Sequence, residues 1–179
     1  MSGKSSTGPE GPQKTTAPEG PQKTKAPEGP QKTRGPEGPK RANFASRRRA
    51  RECALQVLYQ MDVSGASADD ALETFWQSFE PTEDVRAFTS ELVSGVGARR
   101  DEVDAEIQKA SHHWKLERMA RVDRNVLRLA VFELLHRPDI PKKVSLNEAI
   151  EIAKRFGTED SGKFINGILD HISSKVQKA

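Results

Sequence analysis

Apolar residues return every three or four positions along most of the chain after residue 46, and alternation of the strand type is nearly absent. At 100° per residue, Ala50, Cys53, Ala54, Val57, Leu58 and Met61 share one helix face, with Arg48, Arg49, Glu52, Gln56 and Tyr59 opposite. The spacing predicts a helix capped by Ser46 and ended by the Ser64-Gly65 break. A second helix fits SADDALETFWQSF, with Ser67 as cap and two aspartates in the first turn, where their charge suits the helix dipole. Pro81-Thr82 opens a third stretch that runs to about Ser111, either continuous or broken near Gly95 and Gly97. VDRNVLRLAVFELLHR is apolar almost all round, the pattern of a buried central helix. Ser145 and Glu148 then read as an S-x-x-E capping box ahead of Leu146, Ala149, Ile150, Ile152, Ala153 and Phe156, with Gly157 at a left-handed C-cap. The last helix, from about Asp160, carries Ile165, Ile168, Leu169, Ile172 and Val176 on one face. These patterns together predict an all-α bundle of about seven helices.

The front of the chain breaks this pattern. Pro9, Pro18, Pro27 and Pro36 recur every nine residues, and the segment holds eight of the eleven prolines. That period is far shorter than the roughly 20–50 residues of a solenoid repeat. With so little apolar content, residues 1–43 are expected to be a disordered tail leaning toward polyproline II, and residues 44–179 an all-helical domain. Charge divides the same way: through Arg51 there are twelve Lys and Arg against four Glu, whereas the remainder carries seventeen basic and twenty-two acidic residues. A basic front on a mildly acidic body points to an anionic partner, nucleic acid being the commonest.

Composition also narrows the chemistry. The one cysteine, Cys53, excludes an intramolecular disulfide framework, and no apolar run approaches the ~18 residues of a membrane span, so a cytoplasmic protein is expected. No GxxxxGK[ST] or GxGxxG loop is present. His112 and His113 are adjacent, so on a helix they point about 100° apart, and no spaced histidine or cysteine completes a metal site. Neither a catalytic site, a cofactor nor a metal is expected.

Three features carry the binding expectation. Arg47, Arg48, Arg49 and Arg51 crowd the predicted helix start, where the dipole disfavours them by about 0.3–1 kcal/mol each. Phosphate would neutralise that cluster through bidentate guanidinium contacts and counterion release. Phe164 falls off the apolar stripe of the last helix beside Asp160, Gly167 and His171, with Lys163 at the other edge. It either stacks on an unpaired base or packs against a neighbouring helix. Arg128 on the buried central helix either pairs with a carboxylate or emerges at a functional surface.

RRRARECALQVLYQMD, followed by Trp114, Arg118 and VDRNVLRLAVFEL, and then IPKKVSLNEAIEIAKRFGTEDSGKFINGILD, resembles the NusB family of bacterial transcription antitermination factors over most of residues 46–172. The resemblance implies two packed helical subdomains without catalytic activity. It implies binding of boxA RNA together with NusE, the ribosomal small-subunit protein, in a complex with NusA, NusG and RNA polymerase that transcribes ribosomal RNA operons. Carried over by position, Arg47, Arg48, Arg49, Arg51, Asp160, Lys163 and Phe164 match RNA-binding regions of the family, and Tyr59, Glu117 and Asp123 match its NusE-facing surface; Arg128 joins the RNA-binding candidates on its place in the central helix alone. Asp123 has an alternative role as N-cap of the central helix. The rival reading is the NusB-like front of ribosomal RNA cytosine methyltransferases, which requires a Rossmann-like domain after Ala179. The repeat tail lies outside the resemblance; a weak affinity for RNA or polymerase through its lysines and a simple tether are both compatible with it.

Overall fold

Helix α1 runs Pro39–Ser64, so it starts well ahead of Ser46. A computed structural model describes residues 39–176, with side chains from Asn43 onward, and Gly8 alone among the residues before them. Most of the segment expected to be a disordered tail therefore lies outside the described residues. Proline is well suited to a first helical position, where its missing N–H is not needed and its fixed φ is already helical. Ser46 is thus interior to α1, and Arg47 to Arg51 occupy its middle turns instead of its positive pole. This corrects the expected dipole mismatch. At the other end Gly65 adopts φ +73°, and its N–H donates to the Met61 carbonyl at 2.9 Å, closing α1 as the Ser64-Gly65 break predicts.

Helix α2 spans Ala68–Ser78 with the Ser67 Oγ accepting the Asp70 N–H at 3.2 Å. Helices α3 (Glu83–Ala98) and α4 (Arg100–Ala110) are split at Arg99, with φ −120° and ψ 24°, beyond both glycines that were candidates for the break. Gly95 serves packing instead: a Cβ there would fall 2.1 Å from the Phe132 Cζ, so only glycine lets α3 approach this ring so closely. A 3-10 turn at Leu116–Arg118 leads to α5 (Arg121–His136), which is buried on nearly every side from Asn125 to Leu134. Asp123 is the third residue of α5, and its N-cap is Ala120. Asp123 is therefore no cap.

Helix α6 covers Lys142–Phe156 and α7 covers Ser161–Lys175. The expected capping box does not form, because α6 begins a turn earlier and carries Ser145 and Glu148 on its buried face. Gly157 is not left-handed either: its φ is −94°, and a Cβ would lie 2.4 Å from the Ser161 Oγ. That hydroxyl accepts the Thr158 N–H at 2.8 Å, so the α6–α7 turn closes on Ser161.

The architecture is all-α, with no strand among the described residues. Helix α1 packs against α2, α3 and α5, while α4, α6 and α7 surround the rest of α5. One continuous core, with Leu92, Ile107, Leu127, Leu134, Ile165 and Leu169 fully buried, joins the two groups.

Candidate nucleic-acid interface

Because Arg47 to Arg51 lie within a continuous helix, about 100° of rotation per residue fans them in different directions. The Arg47 guanidinium stacks 4.1 Å from the centroid of Phe88 of α3. Arg48 forms two hydrogen bonds to Glu148 of α6, at 3.0 and 2.6 Å. Those bonds push the Arg48 pKa above its ordinary value. Arg49 lies 5.0 Å over the Phe79 ring and donates to Glu52 at 3.2 Å. Arg51 turns inward, only 4% exposed, and forms a fork with Glu133 of α5 at 2.6 and 3.1 Å. Ser145 donates to the same carboxylate at 2.8 Å. Glu148, read in the sequence with Ser145 as a cap, thus accepts from Arg48, while Ser145 donates to the Glu133 carboxylate that holds Arg51, and these pairs fasten α1 to α6 and α5. Arg51, expected with the RNA-facing residues, is instead a buried structural ion.

The end of α6 extends the basic surface. Glu52 is buried although it falls on the polar side of the α1 wheel, because Arg155 of α6 also bonds to it. Arg49 and Arg155 therefore share one carboxylate, which leaves one positive charge in excess, and both guanidiniums remain open to solvent. Lys154, adjacent, lies against Gly162 in the first turn of α7, where a Cβ would stand 3.1 Å from the lysine Cγ. Asp160 and Lys163 are exposed beside this contact, and Phe164 follows, half-buried against the core. Phe164 in turn meets Trp114 edge-to-face, with centroids 6.1 Å apart. The series Arg49, Arg155, Lys154, Lys163, Phe164 and Trp114 thus steps from α1 across α6 and α7 to the turn after α4. Sequence reasoning missed Arg155 and assigned Trp114 no role. A basic pair in the last turn of α6 reads as an ordinary helix-dipole match, and nothing in the sequence aims it at α1.

A second surface gathers the other predicted residues. Tyr59 is 41% exposed near the C-terminal end of α1, with exposed Val63 one turn on. Glu117 is exposed in the 3-10 turn, and Asp123 is 8% exposed with its Oδ1 lacking a hydrogen-bond partner among the described residues. Arg124 ties these elements together, donating to Asp62 of α1 at 2.8 Å and to the Leu116 carbonyl at 3.3 Å. Beneath lies an ion cluster. Asp62 accepts from Arg100, Arg124, Asn125 and Arg128, and Arg128 also forks onto Asp104 at 2.7 Å for both bonds. Arg128 is 4% exposed, so its alternatives resolve to carboxylate pairing and it offers no tip to the surface. Burial opposes ionisation of Asp62, but hydrogen bonding and charge from Arg124 and Arg128 outweigh it and hold the carboxyl below its ordinary range.

No set of three or more potential metal-ligating side chains converges among the described residues. Among the described residues no helix is long and apolar enough to cross a membrane. The chain is a helical binding scaffold whose charged and aromatic side chains lie on open surfaces braced by buried ion pairs. A family model described as the NusB family matches residues 48–174. The transcription antitermination protein NusB of Myxococcus xanthus is 50% identical over 137 residues, covering 74% of this chain and 98% of that protein. Its counterpart in Anaeromyxobacter dehalogenans (strain 2CP-1 / ATCC BAA-258) is 56% identical over 134 residues, covering 74% and 94%. Among solved structures, T. maritima NusB superposes with a TM-score of 0.67 at 38% identity, over 73% of this chain and 92% of that one. A chain of a crystal structure of antitermination factors NusB and NusE in complex with double-stranded RNA gives 0.67 at 26% identity, over 73% of this chain and 98% of that one. The chain belongs to the NusB family.

Proposed function

We propose that this chain binds boxA-like single-stranded RNA together with the ribosomal protein NusE, and promotes processive transcription of ribosomal RNA operons in the cytoplasm. NusA, NusG and RNA polymerase complete the assembly in this reading. The observation that carries it is the continuous series of basic and aromatic side chains from Arg49 through Arg155 and Lys163 to Phe164. Arg47, Arg48 and Arg49 contribute phosphate contacts, and their carboxylate and aromatic partners hold the guanidiniums in place before RNA arrives. Less side-chain entropy is then lost on binding. Asp160 is placed to accept from a base edge, and Phe164 to stack. Arg51 and Arg128 act indirectly, by fixing α1 and α5.

Tyr59, Glu117 and Asp123 form the NusE-facing surface in this reading. The unpartnered carboxylate oxygen of Asp123 supports a basic or hydrogen-bond-donating partner there. The solved complex of NusB and NusE with double-stranded RNA supports NusE as the kind of partner. If both ligands bind one protein, NusE raises RNA affinity and RNA raises NusE affinity by the same factor.

The test is an anisotropy titration of boxA-like RNA and a scrambled control, with and without NusE, over a range of salt. Removing one phosphate contact should flatten the slope of log K against log salt by about 0.7 for a single strand. Arg49→Ala and Arg155→Ala are each expected to do so; wild-type slope and affinity in both would overturn the phosphate role.

A further inference from the structure

Trp114 is a large apolar side chain left 57% exposed, yet its backbone N–H and carbonyl are both hydrogen-bonded. Its carbonyl accepts from the Gln108 Nε2 at 3.2 Å and the Ser111 Oγ at 3.0 Å, while its N–H donates to the Ser111 carbonyl at 2.6 Å. The Gln108 Oε1 accepts the Leu116 N–H at 3.0 Å, so one side chain of α4 clamps both sides of the turn. The indole then meets Phe164 at 82° between ring planes. Such fixing removes the entropy cost of presenting an aromatic to a ligand. The charges beside the two rings differ from most of the basic surface. Lys115 and Lys163, each next to one of the rings in the chain, are exposed and enter no ion pair among the described residues, whereas Arg48, Arg49, Lys154 and Arg155 are all paired.

An exposed indole on a hydrogen-bonded turn, a second aromatic at right angles and two unpaired cations form the composition of a single-strand stacking platform. We infer that Trp114 is a second base-stacking residue, which takes an unpaired nucleobase of the RNA one step beyond Phe164 while Lys115 meets the adjoining phosphate. The inference rests on the RNA-binding reading above and extends its footprint to the turn between α4 and the 3-10 helix. A protein partner is the competing occupant. The absence of acidic partners for Lys115 and Lys163, and continuity with Phe164, favour RNA.

The chain has two tryptophans, so Trp76→Phe leaves Trp114 as the sole indole reporter. In that full-length variant, single-stranded boxA-like RNA should quench the tryptophan emission saturably, at the midpoint that anisotropy gives for binding. Trp114→Ala should weaken RNA binding about 5- to 150-fold, the equivalent of one stacked base, with the salt slope unchanged because no charge is lost. Trp114→Phe should retain most of the affinity. RNA binding with unquenched emission and wild-type affinity in Trp114→Ala would overturn the inference and leave the RNA reading standing. Absence of RNA binding by the wild-type chain in anisotropy would defeat both. Quenching by NusE alone, with none by RNA, would assign the indole to the protein partner and overturn the stacking role.

Discussion

Arg49 and Arg51 are two residues apart and differ in everything but their chemistry. Arg51 is enclosed with Glu133, so removing it takes a bidentate guanidinium away from a buried carboxylate. Arg51→Ala is therefore expected to cost about 3–5 kcal/mol of stability in chemical denaturation. The RNA affinity of the folded fraction should change little. Arg49 is solvated and shares Glu52 with Arg155, so Arg49→Ala should cost no more than about 1 kcal/mol in the same experiment. Equal destabilisation by the two substitutions would contradict this division. An arginine cluster in a sequence thus announces positive charge, but which members face solvent depends on where partners such as Glu133 and Glu148 sit, over 80 residues downstream.

Among elements, the α3–α5 contact depends on a glycine. The Phe132 ring fills the space that a side chain on Gly95 would need. Overpacking of this kind costs typically about 1–3 kcal/mol, and Gly95→Ala should lower the melting temperature accordingly despite the better helix propensity of alanine. Adding Phe132→Leu should recover part of that loss, giving a double-mutant cycle with a clear coupling energy. Strict additivity of the two changes would argue against direct contact. Most helices themselves were legible from periodicity and punctuation: Ser67, the Ser64-Gly65 break and the apolar run of α5 all mark what the structure contains. The helix starts were less so. Ser46 and Ser145 have the residue type of a cap and the right distance to the apolar run, but in each case the preceding residues are themselves helical. A hydroxyl near a helix start signals a cap only when the chain upstream is extended, a backbone property that local spacing does not encode.

At the scale of the whole molecule, Asp62 joins the end of α1 to α4 and α5 through Arg100, Arg124 and Arg128. Its side chain is nearly inaccessible, so Asp62→Asn at neutral pH should cost about 3–5 kcal/mol. Because the folded carboxyl is depressed below its unfolded value of about 3.9, the stabilisation is fully present above that pH and disappears as pH falls through the folded value. The stability gap between wild type and Asp62→Asn should accordingly narrow in acid; a gap constant with pH would contradict ionisation as its source. Arg124 links the same cluster to the Leu116 carbonyl in the turn that carries Glu117, so acid that releases Asp62 should also loosen the surface proposed for NusE.

The sequence by itself determined the helical class, the buried central helix, and the presence of Phe164 and a basic front, because apolar periodicity and charge are local quantities read directly from residue order. The tertiary structure alone decided that Arg51 and Arg128 are internal, that Arg155 stands beside Arg49, and that Trp114 meets Phe164. Those outcomes depend on pairings across 24 to 103 positions of chain. A charge or ring is buried, shared or exposed according to what another helix brings to it.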